Sequence, residues 1–215
     1  MPKGKKKSVD SKPGITKGRS AAVVQAAYAL IVEKGFEGLR TREVAERVGM
    51  NSATLHYYFP TKEALIQGVV HHLMQELKTS RTTVDESAGA LERLRAEFAD
   101  IRVRLKEAPD QLVVLTELAV RAWRDPAIAG ILSYLDQGWH NHLVSILRAG
   151  VVEKTFRSDL DLDATADSMM SQLRGIGYQS KLEHGKLETL IDQIGEQIER
   201  WVLAPAAGKS PRKRP

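Results

Sequence analysis

The chain has 215 residues, with 32 basic and 27 acidic side chains, a net charge of +5 and no cysteine. The absence of cysteine excludes a thiolate nucleophile, cysteine-ligated zinc, an iron–sulfur cluster and a disulfide framework. Because 42% of the residues are hydrophobic, the chain can bury the core of one or two domains.

The positive charge is concentrated at the two ends of the chain. Residues 1–20 carry seven lysines and arginines against Asp10 alone, and residues 209–214 add four more, so the body between them is acidic. Both ends are rich in proline and glycine, which predicts disordered basic segments at 1–18 and 204–215. No stretch approaches the roughly 18 apolar residues of a membrane span. We therefore expect a cytoplasmic protein without a membrane segment.

Apolar residues between the two ends recur at helical spacing, which predicts an all-α fold of about nine helices. The first helix covers 19–34, and two short helices follow at 42–48 and 52–59. Thr41 is the predicted cap of the first short helix, and Asn51 or Ser52 that of the second. A fourth helix begins at Thr61. The second half continues with a helix from Leu91 to before Pro109, one from Leu112 to before Pro126, a long one at 127–154, one capped by Asp163 and a last one at 186–202.

Residues 40–59 have the pattern of a helix-turn-helix. Two short helices joined by a tight turn cross steeply, so the first needs a small residue and the turn a positive φ, as Ala45 and Gly49 supply. Leu55 would then face the shared apolar seam, and Tyr57 would face outward. The spacing by itself also fits an ordinary helical corner in a core.

Residues 19–70 resemble the N-terminal DNA-binding domain of the tetracycline-repressor (TetR) family. The resemblance implies an N-terminal three-helix domain with a helix-turn-helix at 19–66 and a C-terminal helical ligand-binding and dimerisation domain at 67–203. Beyond residue 70 only the number and order of helices resemble the family. The matching residues are Ala26-Ala27, Gly35-Phe36, Thr41-Arg42, Val44-Ala45, Val48-Gly49, Thr54-Leu55, Tyr57 to Phe59, Lys62-Glu63 and Leu65.

The resemblance implies that one set of side chains contacts a double-stranded DNA operator. Arg42 would reach a phosphate or a base, and Lys62 a phosphate. Ser52 and Ala53 would lie nearest the base edges. For His56, where many family members have tyrosine, stacking, base contact and phosphate contact all remain open. The full set is Thr41, Arg42, Ser52, Ala53, Thr54, His56, Tyr57, Tyr58 and Lys62.

The resemblance also implies a pocket for a small-molecule effector, surrounded by helices five to seven. Apolar and aromatic side chains are the candidates for its lining. Methionines and aromatic residues at helical spacing are also typical of an ordinary core, so core packing is the alternative for each of them. The candidates are Phe98, Trp123, Tyr134, Trp139, Met169, Met170 and Tyr178.

The last two helices carry wide apolar stripes that predict a homodimer. Exposed stripes of this area would be a liability for a monomer, and pairing with a second copy would form a four-helix bundle. The alternative is that both stripes are buried within one subunit. The predicted interface residues are Ala166, Met170, Leu173, Gly177, Leu187, Ile191, Ile194, Ile198 and Trp201.

Residues and resemblance together predict a sequence-specific DNA-binding transcriptional regulator, a repressor released from its operator by a small molecule. An activator and a helical protein-interaction module that binds no DNA are the alternatives. No phosphate-binding loop, nucleophile motif or spaced carboxylate pair is visible, so we expect neither enzymatic activity nor a cofactor. His72 and Glu76 are four residues apart but lack a third ligand, so we expect no metal.

Overall fold

The computed structural model describes residues 13–79, 87–179 and 184–205. Within these ranges the helices are joined by short turns and loops, as expected for an all-α fold, and there is no β-strand. None of the described helices is long and apolar enough to cross a membrane. The nine described helices are α1 (Pro13–Gly38), α2 (Thr41–Arg47), α3 (Ser52–Tyr58), α4 (Lys62–Thr79), α5 (Ala90–Glu107), α6 (Pro109–Ala122), α7 (Pro126–Val152), α8 (Leu162–Gln179) and α9 (His184–Val202).

Helix α1 begins earlier than the sequence predicts. Its first residue is Pro13 rather than Arg19, so the helix overlaps the segment 1–18 that was expected to be disordered. Proline suits a first helical position, because its fixed φ is helical and its missing N–H has no partner there. The remainder of that segment and nearly all of the C-terminal basic segment lie outside the described residues.

The chain divides into two compact units, one up to Gln75 and one from Glu76. The division falls within α4, nine residues beyond the predicted boundary at 66. In the first unit, Val44, Ala45 and Leu55 are at most 1% exposed, so the α2–α3 seam is part of the core.

The core of the second unit is built largely from α5, α7, α8 and α9. The predicted dimer residues of α8 and α9 belong to this core, because α9 packs against both α5 and α8, and α8 also packs against α7. A side chain that its own subunit already buries offers no surface to a partner. Six of the predicted residues are therefore core residues, each at most 6% exposed: Ala166, Met170, Leu173, Leu187, Ile191 and Ile198.

The other predicted dimer residues have different surroundings. Ile194 is half-buried against the core, and Trp201 is 37% exposed. Gly177 belongs to α8, but its surroundings lie outside what the structure describes. An amphipathic stripe shows that one side of a helix is buried without showing what buries it.

The chain reverses direction directly after α7. Lys154 has a left-handed φ of 62°, and the backbone N–H groups of Thr155 and Phe156 both donate to the carbonyl oxygen of Gly150 at 2.9 Å. This return packs the Phe156 ring against α7 with only 2% of the residue exposed. An antiparallel bridge between Phe156 and Leu203 then joins the end of α7 to the end of α9.

Replacement of Lys154 by glycine should increase the free energy of unfolding by up to about 1 kcal/mol. Glycine adopts a positive φ without the clash that a Cβ causes, although its greater freedom in the unfolded chain offsets part of the gain. Urea denaturation of the wild type and of Lys154→Gly measures the difference. Lys154→Ala retains the Cβ and is the control. A Lys154→Gly variant that is less stable than Lys154→Ala would show that no strain is stored at this residue.

Candidate DNA-binding site

The turn between α2 and α3 has the geometry that a helix-turn-helix requires. Gly49 has a φ of 63°, and the Met50 N–H donates to the Ala45 carbonyl at 2.9 Å. The Asn51 side chain caps α3 by accepting from the Thr54 N–H at 2.8 Å. Of the two caps that the sequence left open, Asn51 is the one used, and Ser52 is the first helical residue.

Helix α3 is anchored by one buried side chain and exposes the rest of its surface. Leu55 is fully buried, whereas Ser52, Ala53 and His56 are exposed. Tyr57 is 74% exposed. The buried leucine therefore fixes the helical phase, and the residues predicted to lie nearest the base edges point away from the core.

The other α3 residues predicted to contact DNA are less exposed to solvent. Thr54 and Tyr58 are half-buried. The Tyr57 and Tyr58 rings meet edge to face, with centroids 5.4 Å apart. Phe59 is 8% exposed and closes the core behind them.

Helix α2 and the start of α4 supply the cations beside α3. Arg42 is 86% exposed at its side chain and pairs with Glu46 at 3.1 Å. Lys62 is half-buried, and its ammonium donates to the Phe36 carbonyl oxygen at 3.2 Å.

The N-terminus of α2 differs from the prediction in one detail. Arg40 is the N-cap residue and makes no side-chain capping bond, whereas Thr41 is the first helical residue and is half-buried. The Arg40 side chain is exposed, and no hydrogen bond or ion pair engages its guanidinium in the described part of the chain, although its backbone carbonyl oxygen accepts from the Val44 N–H at 3.1 Å. The sequence already indicates Arg40 as a further cation beside the site, with a solvated surface charge as the alternative, and its position next to Thr41 is the signal for it.

Ion pairs between α1 and α2 hold the helix-turn-helix in orientation. Arg47 donates to both carboxylate oxygens of Glu33, at 2.8 and 2.6 Å, and Lys34 donates to Glu43 at 2.6 Å. The hydrogen bond from Arg47 holds the pKa of Glu33 below its ordinary 4.5. The hydrogen bond from Lys34 lowers the pKa of Glu43 in the same way.

Replacement of Arg47 by methionine should lower the thermal midpoint at neutral pH but not in acid. A carboxylate whose pKa is lowered by folding contributes stability above its unfolded pKa and loses it as the pH falls through the folded pKa. The difference between wild type and variant should therefore be constant above about pH 5 and shrink below it. Circular dichroism melts across this range measure it. Arg200→Met is the control, since its exposed pair with Glu196 is 3.7 Å long; an Arg47 effect that persists in acid would contradict the ion-pair account.

The predicted effector-pocket residues do not surround one cavity. Trp123 is 89% and Tyr134 69% exposed, because Trp123 follows the last residue of α6 and Tyr134 lies on the open side of α7. Phe98, Met169 and Met170 are buried. The half-buried Trp139 donates its indole N–H to Glu97 Oε2 at 3.3 Å. The side chain of Tyr178 lies outside the described residues.

A groove of about 300 Å³ lies between α5 and α9, and Phe98 is the predicted pocket residue that lines it. Its rims carry two ion pairs, Arg95 with Glu199 at 2.6 Å and Arg102 with Asp192 at 3.2 Å.

The two residues considered as metal ligands make other contacts in the described structure. The His72 ring lies edge-on to Tyr28 with centroids 5.8 Å apart, and Glu76 Oε2 accepts from Gln111 at 3.4 Å. Among the described residues, no group of three or more potential ligands could hold a metal ion.

A short exposed helix, fixed in phase by a buried leucine and flanked by cations, defines a helix-turn-helix DNA-binding protein. Residues 23–69 match the family profile of bacterial regulatory proteins of the tetR family, and residues 90–202 match the profile of the C-terminal domain of BetI-type transcriptional repressors. The chain belongs to the TetR family and is a DNA-binding transcriptional repressor regulated by a small-molecule ligand. Members of this family are transcriptional regulators that bind operator DNA as homodimers.

The relatives of this chain match it over 30% to 88% of its length. The HTH-type transcriptional repressor KstR2 of Mycobacterium tuberculosis is 27% identical over 156 residues, which cover 72% of this chain and 78% of that protein. The class A tetracycline repressor from Escherichia coli is 35% identical over 65 residues, 30% of each chain. A transcriptional regulator from Saccharomonospora viridis, solved in complex with choline, has a TM-score of 0.78 at 20% identity and covers 88% of this chain and 100% of its own.

Proposed function

We propose that the protein represses transcription as a homodimer that inserts α3 of each subunit into the major groove of its operator. The exposed face of α3, held outward by buried Leu55, is the observation that carries this proposal. Residues 19–66 would form the DNA-binding domain and 67–203 the ligand-binding and dimerisation domain. A single short helix reads few bases, whereas a dimer reads two half-sites about one helical turn (~34 Å) apart.

The proposed DNA contacts divide into two kinds. Ser52, Ala53 and Tyr57 are exposed on one side of α3, which supports contact with base edges. Arg42 and Lys62 bring cations from the neighbouring helices, which supports contact with phosphates. Thr41, Thr54 and Tyr58 are half-buried and would contact the backbone at the edges of the interface.

The outer face of α8 is the surface that we propose for dimerisation. Small residues recur along it at spacings of four, three and four: Ala164, Ser168, Ser171 and Gly175. They are exposed or half-buried, and a Cβ added at Gly175 would meet no atom within 4 Å. Such a face lets a second helix approach closely. On α9, the half-buried Ile194 and the exposed Trp201 would supply the apolar part of the contact.

Replacement of Gly175 by arginine should convert the dimer to a monomer without unfolding the subunit. The open space around Gly175 accepts the side chain in one subunit, whereas a partner helix would collide with it. Light scattering at micromolar concentration measures the change, and operator affinity should fall by more than about tenfold because each subunit then binds one half-site alone. Gly138→Arg, in equally open space on α7, is the matched control. A dimeric Gly175→Arg variant would place the interface elsewhere, and a wild-type monomer would contradict the proposed homodimer.

The effector is proposed to bind to the second unit at the groove between α5 and α9, which Phe98 lines. Relatives supply two probes, since one solved neighbour is in complex with choline and another is described as a ketosteroid transcriptional regulator. Release of operator DNA by choline or by a ketosteroid, followed by fluorescence anisotropy, distinguishes the two. Release by neither would exclude both classes of effector.

Sequencing of DNA fragments that co-purify with the protein tests the proposed function. A repressor should enrich fragments that share a two-fold symmetric site, and its affinity for that site should fall steeply as salt concentration rises, because phosphate contacts release counterions. A helical interaction module would enrich no fragment and show no steep salt dependence. That result would overturn the proposal.

A further inference from the structure

His56 is an exposed histidine on the proposed DNA-reading face of α3. It lies one helical turn beyond Ser52 and three residues beyond Ala53, so all three share a side of the helix. It also lies in the last turn of α3, where the partial negative charge of a helix C-terminus favours a cation. No hydrogen bond, ion pair or ring contact engages the His56 side chain within the described part of the chain.

The charged groups of the helices around α3 are largely paired elsewhere. On α2, Glu46 pairs with Arg42, and Glu43 pairs with Lys34 of α1. At the start of α4, Lys62 donates to a backbone carbonyl, and Glu63 is exposed.

No carboxylate of the described residues lies within 4.0 Å of a His56 ring nitrogen. On α3 itself the other titratable side chains are the phenols of Tyr57 and Tyr58. The described part of the protein thus places no carboxylate in ion-pair contact with an imidazolium at this position.

Operator DNA would provide that anion. Phosphate oxygens and the N7 and O6 atoms of guanine are all acceptors, and the negative charge of the duplex favours any cation at its surface. A neutral imidazole offers one N–H donor, whereas an imidazolium offers two and a positive charge. Histidine is the side chain whose ordinary charge change falls between pH 5 and 8.

We propose that His56 binds the operator as an imidazolium, so that DNA binding takes up one proton per subunit and tightens as the pH falls. This inference rests on the proposed function, because it requires α3 to lie against DNA. Binding that takes up one proton strengthens up to about tenfold per pH unit between the titration ranges of the free and bound states. For a dimer with two such histidines, the logarithm of the affinity changes with pH up to twice as steeply.

The test measures the affinity of the full-length protein for the DNA fragment that co-purifies with it, at about pH 6 and pH 8 and constant ionic strength. The wild type should bind about tenfold more tightly at the lower pH. His56→Gln keeps a polar side chain but cannot become charged, so it should bind equally at both values. His71→Gln removes an exposed histidine of α4 outside the proposed contacts and should retain the pH dependence of the wild type.

Two further measurements identify the acceptor and separate the possible failures. If His56 binds phosphate, random DNA shows the same pH dependence as the operator. The slope of the logarithm of wild-type affinity against the logarithm of salt concentration then steepens at the lower pH by about one per subunit. If His56 binds guanine, the pH dependence is confined to the operator. Equal wild-type affinity at both pH values, or an undiminished pH effect in His56→Gln, would overturn the inference while leaving the repressor function intact. A protein that binds no DNA at either pH would instead overturn the proposed function and the inference with it.

Discussion

Replacement of Gly150 by alanine should destabilise the second unit by about 3 kcal/mol, the upper end of the usual cost of overpacking a core. A Cβ at this position would lie 2.0 Å from Phe156 Cδ2 and 2.4 Å from Phe156 Cε2. Carbon atoms without a bond between them do not approach so closely. Either the ring or helix α7 must therefore move.

The Phe156 ring has little room to move. Its own backbone N–H donates to the Gly150 carbonyl at 2.9 Å, and the next residue donates to the Val202 carbonyl, also at 2.9 Å. These bonds hold Phe156 between the ends of α7 and α9, where it is 2% exposed. Moving the ring would open a cavity and break part of this connection, which is why we expect a large loss.

Gly138→Ala is the matched control for Gly150→Ala. Both residues lie within α7, but a Cβ at Gly138 would meet no atom within 4 Å. Alanine at an open helical position should stabilise the protein by up to about 1 kcal/mol. Urea denaturation should therefore give opposite changes for the two variants, and a similar change for both would show that the close contact at Gly150 has no energetic consequence.

Replacement of Tyr57 by alanine should weaken operator binding by about 1–3 kcal/mol, or roughly 5- to 150-fold, while changing stability little. The Tyr57 side chain is 74% exposed, so its removal leaves no cavity in the core. What the fold loses is the edge-to-face contact with Tyr58. Fluorescence anisotropy with operator DNA and a thermal melt of each variant measure the two effects separately.

Two companion variants show what kind of contact Tyr57 makes. Tyr57→Phe removes only the hydroxyl group, so it separates hydrogen bonding from packing. Lys62→Ala should weaken operator and random DNA equally and flatten the salt slope by about one, because a phosphate contact carries no sequence information. Unfolding of Tyr57→Ala, or equal loss on operator and random DNA, would contradict contact between Tyr57 and the base edges.

The sequence was sufficient for the fold class and for the helix-turn-helix, because both depend on local patterns. The periodicity of apolar residues predicted nine helices, and the position of Leu55 set the phase that leaves Tyr57 exposed. The small residue at Ala45 and the positive φ at Gly49 follow from the steep crossing of two short helices, which any sequence with this motif must satisfy. The boundaries were less exact, because α1 begins at Pro13.

Partners that are distant in the chain could be seen only in the tertiary structure. Arg47 and Glu43 are four residues apart on one helix, so their ion pair can be predicted from local spacing. The shorter ion pair of Arg47, however, is with Glu33 on another helix. The contact between Gly150 and Phe156 depends on the chain reversal at Lys154, and the periodicity of α7 contains no sign of it.

The apolar stripes of α8 and α9 show what the sequence by itself determined about this protein, which is that one side of each helix is buried. Their apolar stripes correctly indicated burial, but a stripe contains no information about whether a neighbouring helix or a second subunit covers it. In the fold, α5 and α7 cover the stripes, and Ile191 and Ile198 are core residues. Only the packing of all the helices together decided that the small residues around Ser171 and Gly175 face outward, because exposure is a property of the whole arrangement and not of any one segment.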